Sequence, residues 1–121
     1  MARRRVPRPD GTTAVRTWAS APDHADRGTV AAAVRFLLEE LTEQAPGNAV
    51  EVRVPPFGVT QCFTGPTHSR GTPPNVVELP PQTWLRLATG LATWDEAAAG
   101  GQIAASGVRA DLRDVLPLIA L

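Results

Sequence analysis

The residues that could do chemistry are few. Cys62 and His68 lie six apart, and a thiol near an imidazole is the arrangement of a nucleophile with its base. The competing reading is that Cys62, inside an extended run, is a small buried hydrophobe with an inert thiol, and this is the reading the sequence favours. His24 falls in a connector, and no cysteine, histidine or acid cluster has metal-ligand spacing, so neither a metal nor a cofactor is expected. No phosphate-cradling glycine loop and no serine elbow is present. The remaining candidates are polar groups on and around a stiff loop, Gly65 to Pro74. Seven of the twelve prolines lie between Pro55 and Pro81, and fixed φ angles lower the entropy of holding a loop in one shape. His68, Arg70, Thr72 and Asn75 are the groups such a loop presents, with Arg53 on the strand before it. Arg70 suits a forked pair of hydrogen bonds to a ligand carboxylate. The alternative is an ordinary surface ion pair between Arg70 and Glu51 or Glu78.

The elements that must position these groups follow from periodicity. Val50, Val52 and Val54 alternate with Glu51 and Arg53, the pattern of a strand with one buried face. Val59 to Phe63 and Val76 to Leu79 give two further extended runs, and Gln102 to Ser106 a late strand candidate. Val30, Val34, Leu37, Leu38 and Leu41 form one stripe of a helix capped by Asp26 and ending near Gln44, where Pro46 and Gly47 stop it. Arg35 is spaced to pair with Glu39. Phe36 falls off the stripe, which points to a second helix against it rather than an exposed patch. That second helix is expected from Thr12 or Thr13 to Ser20, carrying Trp18. Pro81 opens a helix with Trp84, Leu85, Leu87 and Ala88. Thr93 and Glu96 have capping-box spacing for a short helix, Trp94 to Ala99. Asp111 is placed to cap a last helix with Leu112, Val115, Leu116 and Ile119 on one face, limited by Pro117.

Composition bounds the function. The chain of 121 residues fits one domain, read as residues 12–121 behind a flexible basic tail at 1–11. Twelve arginines balance twelve acids, so no overall field draws the chain to nucleic acid. No window approaches the ~20 apolar residues of a membrane span, so stable membrane insertion is not expected. The basic N-terminus lacks the apolar run of a secretory signal, and a single cysteine suits a reducing compartment; the expected setting is the cytoplasm. The absence of lysine and the abundance of alanine suggest a GC-rich, bacterial coding sequence.

The second half carries a resemblance. Trp84-Leu-Arg-Leu-Ala-Thr-Gly90, Thr93-Trp-Asp-Glu-Ala97, Gly100-Gly-Gln-Ile103 and Ala105-Ser-Gly107, with Pro55-Pro-Phe-Gly58 and Thr72-Pro-Pro-Asn-Val-Val77 before them, resemble the sterol carrier protein 2 family in its bacterial single-domain branch. The resemblance covers roughly Arg27 to Leu118. It implies an α+β domain with a mixed or antiparallel sheet of about five strands covered by helices, and a cavity between sheet and helices for a fatty acyl or other lipid-like ligand. On that implication Val34, Leu38, Leu41, Phe57, Phe63, Trp84, Leu87, Ile103 and Leu116 would line the cavity, and Arg53, His68, Arg70 and Asn75 would meet a polar head. The same apolar residues are what any core needs, and packing in a core is the favoured reading for each of them. The resemblance therefore also admits a second function: a protein–protein interaction domain, as a homodimer or with another protein, or an accessory domain of a bacterial enzyme system with no ligand. In neither reading does the chain perform catalysis itself.

Overall fold

A computed structural model describes residues 5–65 and 75–121. Its first helix, α1 (Arg8–Ser20), begins earlier than expected, inside the stretch read as tail. Composition misleads here for a physical reason. Pro9 lies in the first turn, where its missing N–H costs nothing and its fixed φ suits the helix. Arg8 reaches the carboxylates of Glu40 at 3.3 Å and Glu43 at 3.2 Å on the next helix. Gly11 lets the two helices approach closely: a Cβ built there would sit 2.2 Å from the Phe36 ring. Phe36 thus packs under α1 and is buried, as its position off the main stripe implied.

The central helix α2 (Arg27–Gln44) starts where Asp26 accepts a hydrogen bond from the Thr29 N–H at 2.7 Å. That bond holds the exposed Asp26 carboxyl below its ordinary pKa. All five residues of the predicted stripe are buried, and Ala33 and Phe36 extend burial to a second side. An amphipathic helix buried on two sides must lie between layers. α2 does so, with α1 on one side and the sheet on the other.

The sheet comprises β1 (Val50–Val54), β2 (Gly58–Cys62), β3 (Val76–Glu78) and β4 (Ala104–Ser106), in the order β2-β1-β3-β4. β1 pairs antiparallel with β2 and parallel with β3, and β3 pairs antiparallel with β4, so the sheet is mixed. Among the described residues it has four strands where about five were expected. The valines of β1 point to the helices and are buried, while Glu51 and Arg53 take the other face. At the α2–β1 turn Gly47 has φ +140, and a Cβ there would lie 2.0 Å from the Phe63 carbonyl oxygen, so only glycine fits.

Helix α3 (Pro81–Ala88) buries Trp84, Leu85 and Leu87. Trp18 of α1 donates its indole N–H to Gln82 at 3.0 Å, and Trp84 donates to the Val34 carbonyl at 3.4 Å. Helix α4 (Trp94–Ala99) carries the predicted capping box, with reciprocal bonds between Thr93 and Glu96. The expected last helix does not form. Asp111 accepts from the Arg113 N–H at 2.8 Å as an isolated cap, one turn closes on the Leu112 carbonyl, and the chain leaves helical geometry before Pro117. Proline has no N–H and its ring clashes with the preceding turn, which outweighs the periodicity of Leu112, Val115, Leu116 and Ile119. The Leu118 and Ile119 N–H groups instead donate to the Ala88 carbonyl at the end of α3. That contact keeps Leu112 and Leu118 buried without a helix.

Candidate functional site

Among the described residues, no cleft brings together the residues expected to line one cavity. Val34, Leu41 and Trp84 expose 0% of their surface, Leu87 1% and Leu38 3%. A side chain bordering a void wide enough for an acyl chain would present surface to a water-sized sphere, and these present essentially none. Val34, Leu41 and Trp84 are packed core, while Leu38 and Leu87 reach separate marginal clefts only at an edge. The partly exposed candidates lie apart from one another. Leu116 borders a cleft of about 330 Å³ with Leu87, Gly90, Trp94, Arg113 and Pro117. Ile103 borders one of about 360 Å³ beside Leu79, Pro80 and Pro81. Phe57 and Leu38 share a third, of about 440 Å³, and Phe63, at φ 64 just beyond β2, packs against the core edge.

The polar candidates also separate. His68 and Arg70 lie outside the described residues. Arg53 sits on the sheet face turned away from the helices, its Nε bonded to Glu51, in a shallow depression with Pro55, Pro56, Val59 and Glu78. Strand alternation puts it on the opposite side of the sheet from Leu38 and Leu41, so it cannot hold the head of a ligand lodged between sheet and helices. Asn75 is 5% exposed and spends its amide on the backbone: Nδ2 donates to the Ala49 carbonyl at 2.9 Å and Oδ1 accepts from the Arg109 N–H at 2.9 Å. It ties the starts of β1 and β3 to the segment after β4.

Cys62 ends β2 with no exposed surface, and burial pushes its thiol from 9.0 to about 12. The attacking species is the thiolate, which is negligible at neutral pH in this site. The folded chain is expected to resist alkylation by iodoacetamide at pH 8 and to react within minutes in denaturant; prompt labelling of the folded chain would contradict the burial. Because the raised value belongs to the folded state, the contribution of the neutral thiol is fully present below about 9. It is lost as pH rises from there towards about 12.

One cleft that combines apolar and charged groups lies between α2 and the turn joining β1 to β2. Leu38, Phe57, Gly58, Val59 and Thr60 form its floor and one wall, and Arg5, Arg35 and Glu39 the other. Arg35 donates Nε–H to the Phe57 carbonyl at 2.9 Å, which fixes the guanidinium over the turn. Arg27, two turns earlier, lies 5.0 Å from the centre of the Phe57 ring, a cation–π contact. Glu39 does not pair with Arg35 as the spacing suggested. Its two carboxylate oxygens accept the backbone N–H groups of Arg5 at 3.0 Å and Val6 at 3.1 Å. The anchored segment before α1 thereby becomes a wall of the cleft. Arg27 and Arg35 were not singled out from sequence, because arginines on the outer side of an amphipathic helix read as solvated charge. Only the hairpin folding back over α2 gives them a common neighbour.

Among the described residues no three histidine, cysteine or acidic side chains gather as a metal site. No described helix is long and apolar enough to cross a membrane. Helices covering one face of a small mixed sheet, with clefts at the helix–sheet margins, make the chain an α+β module. Residues 26–118 match the family model described as the bacterial SCP ortholog, and the chain belongs to that family. The match begins at the Asp26 cap, so α1 lies outside it. A search of curated proteins finds no match.

Proposed function

We propose that this chain is a carrier-type module that binds an apolar, acyl-type ligand non-covalently, in the cleft between α2 and the β1–β2 turn. The observation that supports this reading is the pairing of a carrier family with an apolar floor at the helix–sheet margin. Phe57 forms most of that floor, with the edge of Leu38 beside it. A cleft of about 440 Å³ is within the range of small-molecule sites. The driving force is transfer of apolar surface out of water, about 25 cal/mol per Å², so covering a floor of a few tens of Å² is worth about 1–2 kcal/mol from the protein side alone. The buried, protonated Cys62 supports a role without covalent chemistry.

A second reading, an interaction or accessory domain without a ligand, draws on the closed interior, since Val34, Leu41 and Trp84 leave no internal room. Native mass spectrometry of the protein purified from its own source separates the two. A monomer with a homogeneous excess mass that is lost on denaturation is the expected result for a carrier. A bare oligomer that also fails to take up added dodecanoate would overturn that reading in favour of the interaction domain.

A further inference from the structure

We propose that Arg35 is the head-group anchor of the α2–hairpin cleft, and hence that the ligand is an anionic amphiphile with a carboxylate or phosphate head. This rests on the carrier reading above and specifies the chemistry its site accepts. A guanidinium has five N–H donors in a planar fork, and Arg35 spends one, Nε–H, on the Phe57 carbonyl. Among the described residues its two terminal nitrogens have no ion-pair partner, although the Glu39 carboxylate lies one turn away in the same cleft. That carboxylate is committed to the backbone of Arg5 and Val6. Its engagement leaves the fork available instead of neutralising it.

The bond to Phe57 also removes much of the rotamer freedom that an exposed arginine would lose on binding, so the anchor is partly preorganised. The surrounding charge has the same sign. Arg5 lines the same wall as Arg35, Arg27 sits against the Phe57 ring, and Glu39 is the one acid among the described residues that line the cleft, giving three cations around one anion. The apolar floor lies directly beside the fork, with Phe57 in contact with both arginines. A head group paired with Arg35 therefore leaves its chain over Phe57 and the edge of Leu38. Carboxylates and phosphate monoesters both match the fork, as two oxygens accept two parallel N–H bonds.

The test uses the full chain and calorimetric titration with dodecanoate, dodecyl phosphate, methyl dodecanoate and inorganic phosphate, each below its aggregation concentration. The expected result is roughly tenfold tighter binding of the two charged amphiphiles than of the ester, the size of one charge-assisted hydrogen-bonded pair. Arg35→Gln should abolish that preference while leaving the ester unchanged, and Arg35→Lys, which keeps the charge without the fork, should restore part of it. Arg53→Gln, on the other sheet face, should change nothing. Thermal melts confirm that the variants are folded. Equal binding of acid and ester, or equal losses for both in Arg35→Gln, would overturn the anchor and leave the carrier reading standing. Failure of every amphiphile to bind would overturn the carrier reading itself. Inorganic phosphate binding as tightly as dodecyl phosphate would reduce the site to an anion site without an apolar component.

Discussion

Replacing Trp84 by alanine is expected to cost about 3–5 kcal/mol of folding free energy, the range for truncating a large aromatic in a packed core. Domains of this size have about 5–15 kcal/mol in total, so the variant should be close to unfolded at physiological temperature. The expectation follows from its position. Trp84 exposes 0% of its surface, sits on the helix that joins α2 to the C-terminal segment, and donates its indole N–H to the Val34 carbonyl. Removing it opens a void that the surrounding helices cannot close without moving, and the lost contacts add to the lost transfer energy. The measurement is the urea midpoint of Trp84→Ala against the wild type, followed by far-ultraviolet circular dichroism, since two other tryptophans remain to report on the fold. The experiment also bears on function. If Trp84 lined an open ligand cavity, truncation would merely enlarge an existing space and cost little. A loss below about 1 kcal/mol would thus contradict the filled interior and return the binding site to the space between sheet and helices.

What the sequence reveals is set by how local the controlling interaction is. The stripe Val30, Val34, Leu37, Leu38 and Leu41, the alternation of β1 and the Thr93–Glu96 capping box all depend on neighbours within about two turns, and each forms as read. The last helix was misread because periodicity was weighed above a single backbone constraint at Pro117. The start of α1 was misread for the opposite reason. Its stability comes from long-range contacts, Arg8 with Glu40 and Glu43 and Gly11 against Phe36, that composition does not encode.

The site follows the same division. Apolar residues destined for the core and those destined for a ligand surface share one hydrophobic pattern, so Val34 and Phe57 look alike in sequence although one is sealed and the other borders a cleft. The arginines that frame that cleft are distant from its floor along the chain, Arg35 and Phe57 being 22 positions apart. Charge at such a separation carries no local signature.

The Asn75→Ala variant is expected to lose about 2–4 kcal/mol of stability, with ligand affinity unchanged in the fraction that folds. The amide is almost fully buried and bridges two backbone groups: the Ala49 carbonyl before β1, in a buried bond, and the Arg109 N–H after β4, in a partly buried one. Alanine removes both partners at once, and each buried or partly buried group deprived of its hydrogen bond costs about 1–3 kcal/mol. The neighbouring geometry raises the stake. The Asn75 carbonyl also accepts the Glu51 N–H at 2.9 Å, so the same residue sets the register in which β3 enters beside β1. A ligand-contacting asparagine would behave in reverse, weakening binding while leaving the melting temperature intact, and that outcome would restore Asn75 to the site. Asn75→Asp sharpens the test. The aspartate keeps an acceptor for the Arg109 N–H but turns an anionic oxygen towards the Ala49 carbonyl in a place without solvent. Burial and that repulsion raise its folded-state pKa, so the variant should be least impaired at low pH and lose stability as pH rises through the carboxylate range. A melting temperature for Asn75→Asp that stays level between pH 3 and pH 7 would show that the side chain is not enclosed.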